Sequence, residues 1–350
     1  MALSVFLLTQ GIFALCFVMA SDGEYANFVA RWDGVQYSRI ARDGYPIGDP
    51  TDPVWAFYPL YPSLVKLFSL ATTISPSISA PIVSVLAAAA AVVCLFHLLE
   101  RSLDRASAIV VVALLCTWMA APVMQMDYTE SLALLLLVLA TDLLLRRNYA
   151  GLMLVLVFLS LCRPILIPFA FMGAGHGLVL LRRGVTDARW LTPILVSVCV
   201  ALAGVWPVTA GYLSGEPNVY LNAMASWAAP GEPRSWAAMA INYGAPGWIL
   251  MAILTLTLVW AAARLVPRAF PVELRAWMVA YPLYIAIATY MSGSIVRYLI
   301  FGFPAAVMFS PLASKGPKGI FVLGIMGIAG FALGIYWITH FVGGDAGPIP

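Results

Sequence analysis

The chain has 350 residues and a formal net charge of +3, with 62% hydrophobic residues, 10% charged residues and a mean hydropathy of +0.93. A soluble domain carries about 25% charged residues, so this composition excludes a soluble globular protein and indicates an integral membrane protein. The small net charge is no signal for nucleic acid, and the positions of the basic residues carry more information than their sum.

Apolar runs long enough to cross a bilayer as helices, about 20 residues each, follow one another along the chain. The first run has no basic residues before it, so we expect a retained span and not a cleaved signal peptide. We predict an all-α, polytopic transmembrane bundle of about ten spans that forms one domain over residues 1–350. The predicted spans are residues 3–20, 81–99, 108–123, 132–145, 151–163, 164–181, 191–212, 247–263, 275–291, 295–311 and 319–341.

Two long polar intervals interrupt the apolar runs, at residues 21–79 and 213–245. The first holds four aspartates, a quarter of the 16 acidic residues, and includes a helix-like segment at 60–71 that can lie along the membrane surface. The pair of runs on either side of Arg163-Pro164 is short for two spans. We expect it to break there, because proline removes a backbone donor and disfavours helix in the residue before it.

The distribution of basic residues predicts a cytoplasmic N-terminus and places both polar intervals outside. Most of the 19 basic residues then lie in inner loops. The inner residues are Arg101, Arg105, Arg146, Arg147, Arg182, Arg183, Arg189, Arg264, Arg268, Arg275, Lys315 and Lys318, and the outer ones are Arg31, Arg39, Arg42, Arg234 and Arg297.

This topology brings unusual polar residues from separate parts of the chain to one face of the membrane. A set of merely solvated loops would not require that convergence, so we predict a site on the extracytoplasmic face. Its members are Asp33, the 58–62 segment, the 127–130 turn, Arg163, the 213–245 loop and Arg297.

Asp33 is the leading candidate for acid–base chemistry in the first polar loop. On a helix it would share a face with Tyr37 and with residue 40 or 41. A carboxylate at the membrane surface beside an aromatic ring can act as a general base. The structural alternative is that Asp33 caps a short helix.

The 127–130 turn precedes a helix, where Asp, Thr and Glu are common capping residues. Asp127 or Glu130 could equally bind a sugar hydroxyl. With Asp33, either carboxylate could also hold a divalent cation weakly, although no cluster with metal-ligand spacing is visible in the sequence.

Arg163 and Arg297 are the candidate anion-binding residues. A charge inside an apolar run costs roughly 2.5–3.5 kcal/mol on insertion scales, so Arg163 is expected to be paired or functional. Arg297 lies at a predicted helix start, where exposed N–H groups and a guanidinium together favour a phosphate. The alternative for Arg297 is a residue whose charge reaches the membrane interface while its stem stays apolar.

The remaining histidines, cysteines and tryptophans have simpler interpretations. The cysteines lie inside apolar runs as small buried residues, the histidines have no ligand spacing, and the tryptophans around the second polar loop are typical of an interfacial belt. These residues are Cys16, Cys94, Cys116, Cys162, Cys199, His97, His176, His340, Trp227, Trp236 and Trp248.

One motif of fixed spacing runs through the first polar loop, and weaker pieces follow it in order up to about residue 305. The first piece comprises Trp32, Asp33, Tyr37, Ile40, Ala41, Gly44 and Tyr45, then Phe57, Tyr58, Pro59, Leu60, Tyr61 and Pro62. The later pieces are Tyr128, Glu130, Ser131 and Leu132, then Arg163 and Pro164, and finally Arg297, Tyr298 and Pro304.

This series resembles the PIG-V-like mannosyltransferases, relatives of the second mannosyltransferase of GPI-anchor synthesis. The resemblance implies a GT-C fold with a catalytic first outer loop, a polyprenyl-phosphate sugar donor and inversion at the anomeric carbon. The family's loop aspartate corresponds to Asp33 and its later arginine and tyrosine to Arg297 and Tyr298. The chain departs in having Tyr58 where a second phenylalanine is common.

We therefore expect mannosyl transfer to a hydroxyl of a lipid-linked or cell-surface glycan, with the lipid tail against apolar helices. Asp33 is the expected base, and Arg297 with Arg163 the expected phosphate contacts. The expected substrate-binding residues are Trp32, Tyr37, Tyr58, Tyr61, Asp127, Glu130 and Tyr298.

The competing prediction is a lipid-glycan transporter without enzymatic activity. A transporter would carry its coupling charges deep in the bundle, near the midplane. The unusual charges of this sequence instead fall near one face, and Asp142 lies near the inner end of its run.

Overall fold

A computed structural model describes residues 1–226, 235–289 and 294–342, apart from the side chains of residues 239, 243, 341 and 342. The regular secondary structure of this part of the chain is all helical, with no strand, which confirms the predicted all-α class. Trp227 lies outside the described residues.

The first polar loop is largely helical. Its helix at 33–43 is amphipathic and buries Gly34, Tyr37, Ile40 and Ala41 on one side, the periodicity of a helix with one packed face. The N-terminal elements are α1 (Ala2–Ala20), α2 (Tyr25–Val29), α3 (Asp33–Asp43), a 3₁₀ turn (Pro53–Ala56) and α4 (Leu60–Thr72).

The central part of the bundle contains the break expected at Arg163-Pro164, with a helix ending at Ser160 and the next beginning at Leu166. Its elements are α5 (Pro76–Leu99), α6 (Arg105–Cys116), a 3₁₀ turn (Ala121–Gln125), α7 (Glu130–Leu145), α8 (Tyr149–Ser160) and α9 (Leu166–Arg182).

The C-terminal part completes the bundle and includes the described portion of the second polar loop. Its elements are α10 (Ala188–Ala203), α11 (Val205–Ser214), α12 (Val219–Ala225), α13 (Trp236–Tyr243), α14 (Ala245–Arg264), α15 (Val272–Ala288), α16 (Ile295–Tyr298) continued by a 3₁₀ helix (Leu299–Ser314), α17 (Gly316–Tyr336) and a π-helical turn (Trp337–Val342).

Six helical stretches of the described chain are long and apolar enough to cross a membrane, and three shorter apolar helices accompany them. Along α14 the side chains of Ile249, Leu250 and Leu256 are each at least 60% exposed, as expected where a helix faces lipid. The chain is thus an integral membrane protein, while the count of about ten spans stays a prediction. The six are Ala2–Ala20, Pro76–Leu99, Ala188–Ser214, Ala245–Arg264, Ile295–Ser314 and Gly316–His340.

Close helix packing in the bundle depends on small residues, as is usual in membranes. In α9, a Cβ at Gly177 would lie 1.7 Å from Oγ1 of Thr192 on α10, so only glycine permits that approach. In α5, Ala88 and Ala91 are fully buried. Small residues thus let α9 and α10 pack closely and let α5 lie inside the bundle.

Candidate active site

Three charged side chains from distant parts of the sequence line one cavity of about 180 Å³. Asp33 begins α3, Arg163 lies in the break between α8 and α9, and Arg297 belongs to α16. Among the described residues, the lining thus carries two positive charges and one negative charge. Its other members are Tyr37, Ala56, Phe57, Tyr58, Thr129, Cys162, Pro164, Ile165, Tyr220, Met224, Tyr281, Tyr284, Ile285, Ala288, Thr289, Ser294 and Tyr298.

Asp33 is the first residue of α3 and does not cap it. The residue at the cap position is Trp32, whose side chain makes no capping bond and whose backbone has φ 57° and ψ −115°. Positive φ is unfavourable for a bulky residue and costs about 1–3 kcal/mol. Trp32 is held in place by an edge contact with Trp337, with ring centroids 6.3 Å apart.

Arg297 lies between two carboxylates. Its Nη2 donates to Oδ2 of Asp33, and its Nε lies 3.6 Å from Oε1 of Glu130. The guanidinium is also over the ring of Tyr128, 4.7 Å from its centroid. Only 8% of the Arg297 side chain is exposed, against 26% of Asp33, so the arginine is the deeper partner.

Arg163 is held by the start of α7. Its Nη1 donates to Oγ1 of Thr129 at 2.9 Å and lies 3.2 Å from Oε2 of Glu130. The guanidinium also lies 4.7 Å from the ring centroid of Tyr298, a cation–π arrangement. Glu130 thus contacts both arginines from behind the cavity, where its side chain is 2% exposed.

Tyrosines form much of the cavity wall. Tyr37 packs edge-on against Phe57 at 5.1 Å, and the Tyr58 hydroxyl donates to the Tyr220 hydroxyl at 3.5 Å. Burial, followed by the charge of Asp33, raises the pKa of Tyr37 well above its usual value, so this phenol is neutral. Neutral hydroxyls on aromatic rings suit a sugar, which has both apolar faces and hydroxyl groups.

The structure places Tyr37, Tyr58 and Tyr298 in the cavity wall, but four other residues expected to bind substrate do not line it. Tyr61 is fully buried, and its hydroxyl bonds to the Ala80 carbonyl at 3.0 Å and to Ser84 at 2.8 Å. Trp32, Asp127 and Glu130 likewise lie outside the lining.

Asp127 packs against α3 at Gly34 and Ser38. Oδ2 of Asp127 accepts a hydrogen bond from Ser38 at 2.9 Å. A Cβ added at Gly34 would lie 3.1 Å from the Cβ of Asp127. The residue is fully buried and outside the candidate spans. Burial raises the pKa of Asp127 to about 7, with the Ser38 bond acting in the opposite direction.

Thr129, Tyr220 and Tyr284 also line the cavity. Thr129 belongs to the 127–130 turn and Tyr220 to the 213–245 loop, both predicted to reach the site, but the sequence did not single out Tyr284. The Tyr284 hydroxyl donates to the Pro164 carbonyl and so fixes the break that carries Arg163. The available signal was the presence of Tyr281 and Tyr284, three residues apart on one face of an otherwise apolar helix. Tyr220 comes from the second polar loop, which therefore reaches the same cavity as the first.

The site does not favour a divalent cation. Within the described ranges no three His, Cys, Asp or Glu side chains are grouped as metal ligands. Asp33 and Glu130 each face an arginine, and Asp127 lies outside the lining. Nearby guanidinium charges oppose a metal ion and favour an anion.

No family model matches this chain, and no curated protein matches it. Among solved structures, it is similar to the Archaeoglobus fulgidus oligosaccharyltransferase in complex with Zn and sulfate, with 12% identity and a TM-score of 0.48. That match covers 95% of this chain and 53% of the other.

A second solved structure is archaeal oligosaccharyltransferase AglB from Archaeoglobus fulgidus with an inhibitory peptide and a dolichol-phosphate. The identity is 11% and the TM-score 0.47, over 96% of this chain and 56% of the other. This chain therefore spans about half the length of these structures.

Proposed function

We propose that this chain is an inverting membrane glycosyltransferase that moves a sugar from a polyprenyl-phosphate donor to a hydroxyl group. The observation that carries the proposal is the single cavity in which Asp33 faces Arg297 and Arg163, with tyrosines around them. An aspartate supplies a base, and two guanidiniums supply an anion site. The motif resemblance makes mannose the proposed sugar and a GT-C fold the proposed architecture.

In the proposed reaction Asp33 accepts the proton of the acceptor hydroxyl. The oxygen forms a bond to the anomeric carbon as the bond from that carbon to the phosphate oxygen breaks on the opposite face. The electron pair of the broken bond stays with the phosphate, whose negative charge rises. Arg297 and Arg163 stabilise this charge where it develops, which is the efficient use of fixed charges in catalysis.

We assign the sugar contacts to the aromatic wall, chiefly Tyr37, Tyr58 and Tyr298, and we add Tyr220 and Tyr284 because they line the same cavity. Trp32, Tyr61 and Asp127 are assigned to holding α3 and its neighbours in place, because they lie outside the lining. The apolar side of the cavity, at Met224, Ile285 and Ala288, is the proposed entry of the lipid tail.

We place the cavity on the extracytoplasmic side, with the N-terminus in the cytoplasm and a lipid-linked or cell-surface glycan as acceptor. The support is the excess of basic residues in the predicted inner loops. Asp142, predicted near the inner side, pairs with Arg101 and Arg146 at 2.7 Å each, away from the cavity lining.

The alternative is a lipid-glycan transporter, and one buried pair gives it some support. His176 Nδ1 lies 2.8 Å from Glu273 Oε1, and both side chains are at most 6% exposed. Glu273 is in the first turn of α15, whereas Tyr284 and Ala288 line the cavity near its last turns. The pair therefore lies far along the helix from the proposed site.

Purified protein in proteoliposomes with radiolabelled polyprenyl-phosphate mannose and a mixed glycolipid acceptor fraction tests the proposal. We expect label to move into acceptor with release of polyprenyl phosphate. Movement of intact donor across the bilayer without cleavage would instead support the transporter.

A further inference from the structure

Glu130 and Arg297 contain two buried polar atoms whose hydrogen bonds are not made. Oε1 of Glu130 and Nε of Arg297 face each other at 3.6 Å, and neither has a hydrogen-bond partner within the described structure. Buried polar groups are normally paired, and leaving them unpaired is unfavourable. A movement of about 0.7 Å would bring this pair to ordinary hydrogen-bond length.

The interaction of Arg297 with Asp33 opposes that movement. Asp33 holds the guanidinium by Nη2 from the cavity side, whereas Glu130 faces Nε from behind. Asp33 is 26% exposed and Glu130 is 2% exposed. An anion that enters the cavity therefore meets the Asp33 contact and cannot approach from the Glu130 side.

We propose that Glu130 is the positioning residue for both arginines, and that a donor phosphate displaces Asp33 from Arg297 while Glu130 retains it. The inference rests on the proposed function and adds an order of events to it. Without donor, the Arg297 guanidinium is paired with the Asp33 carboxylate. With donor bound, Arg297 bonds to the phosphate and to Glu130, and Asp33 is free to accept the acceptor's proton.

Glu130 also positions Arg163. Its Oε2 lies 3.2 Å from Arg163 Nη1, which also donates to Thr129 at 2.9 Å. Glu130 thus holds the two cations side by side, so that one phosphate can contact both. Because Asp33 competes with phosphate for Arg297, the apparent phosphate affinity is reduced by the fraction of Arg297 that is paired.

Binding of a polyprenyl phosphate without sugar to purified protein in detergent tests the inference without any need for turnover. The matched polyprenol measures binding through the tail alone. Asp33→Asn should bind the phosphate about tenfold more tightly, because a charged hydrogen-bond competitor is removed. Glu130→Gln should bind it about tenfold more weakly, because the arginines lose the charged group that orients them.

The opposite changes in phosphate affinity expected for Asp33→Asn and Glu130→Gln distinguish a positioning role from a simple effect of charge. If the carboxylates acted only through their negative charge, removing either one would tighten anion binding. Glu130→Asp keeps the charge and tests the position with less disturbance to the fold; it should bind better than Glu130→Gln and less well than the parent. Thermal unfolding checks each variant, and exposed Asp43→Asn is the matched control with unchanged affinity.

Tighter or unchanged phosphate binding by Glu130→Gln would overturn the positioning role, and unchanged or weaker binding by Asp33→Asn would overturn the competition. Both results presuppose that the parent prefers the phosphate to the polyprenol. If the parent binds both equally, the proposed donor site itself is wrong, so the two failures are distinguishable.

Discussion

Two residues of unusual conformation or environment adjoin the proposed catalytic carboxylate. Trp32 adopts positive φ directly before Asp33, and Arg297 pairs with Asp33 on the cavity side. Strain of this kind persists only where surrounding contacts enforce it, here the edge contact of Trp32 with Trp337. The backbone and the ion pair together direct the carboxylate into the cavity.

Arg297 should be needed for donor use and replaceable by lysine only in part. We expect Arg297→Ala to lower kcat/KM by about 10²–10³-fold, the usual effect of removing a fixed group that stabilises developing charge. Arg297→Lys should recover part of this loss, because lysine supplies charge without the planar fork that contacts two oxygens. The measurement is steady-state transfer in detergent at varied donor.

The control for this series is Arg42→Ala, which removes an exposed arginine whose partner is the neighbouring Asp43. Its kcat/KM should stay within about twofold, since surface ion pairs contribute little. Equal loss in Arg297→Ala and Arg42→Ala would indicate a general effect of charge and not a phosphate contact.

The buried Asp127 should make stability fall as pH rises. Its folded-state pKa of about 7 exceeds the ordinary value of 3.8 for an aspartate, so the folded protein holds this proton more tightly than the unfolded chain. That contribution is complete below the unfolded pKa and is lost as pH rises from about 4 to 7. Asp127→Asn resembles the protonated acid, so its stability should not show this decrease with pH.

Thermal unfolding of both proteins at pH 5 and pH 8 measures the effect. We expect Asp127→Asn to have the higher Tm at both pH values, with a clearly larger difference at pH 8 than at pH 5, because the loss begins near pH 4 and is complete only near pH 7. Comparing the two proteins at each pH cancels the other titrating groups. The same difference in Tm at both pH values would contradict a buried acid that titrates near neutrality.

At the scale of elements, α3 is fixed to the loop that follows it by one ion pair. Both Nη atoms of Arg39 donate to the Asp52 carboxylate. Asp52 also accepts a hydrogen bond from the Val54 N–H at the start of the 3₁₀ turn. The Asp52 side chain is only 10% exposed. An aspartate in this position is a structural part of the loop, in contrast to Asp43, which is 51% exposed.

We expect Asp52→Ala to lower Tm by several degrees, since loss of a helix cap costs about 0.5–2 kcal/mol. Asp43→Ala should leave Tm nearly unchanged. Thermal unfolding of the two variants in the same detergent is the comparison. A Tm for Asp52→Ala equal to that of the parent would show that the loop does not depend on this pair.

Several elements could be predicted from sequence because local chemistry determines them. Arg163-Pro164 marked the break between α8 and α9, and the spacing of Asp33 and Tyr37 indicated the amphipathic α3. The sequence does not show whether a given side chain faces the cavity or the interior of the bundle. Tyr61 and Asp127 looked like site residues, yet they point into the bundle, because hydropathy does not tell which neighbour an aromatic or acidic residue will meet.

The tyrosines of α15 show the same limit from the other direction. Tyr284 lies in an apolar helix far along the sequence from Asp33, and its place in the cavity depends on how α15 packs against α9. Contacts between distant helices arise from the whole bundle. Periodicity in one segment cannot specify them.

For the whole molecule, the orientation in the membrane is the main prediction. In a background without the five native cysteines, Ser75→Cys should react with an impermeant thiol reagent added outside sealed cells. Ser314→Cys should react only after permeabilisation. Both positions are exposed, so burial does not limit their labelling. Labelling of Ser314→Cys in sealed cells would contradict the predicted orientation.

The central claim is that Asp33 is the base of a glycosyl transfer. Turnover by purified Asp33→Asn in proteoliposomes, measured with radiolabelled polyprenyl-phosphate mannose against Asp43→Asn, tests it most directly. We predict a fall of about 10²–10⁴-fold, the usual contribution of a positioned acid–base group, with unchanged folding and near-normal turnover in Asp43→Asn. Near-normal turnover by folded Asp33→Asn would contradict the claim.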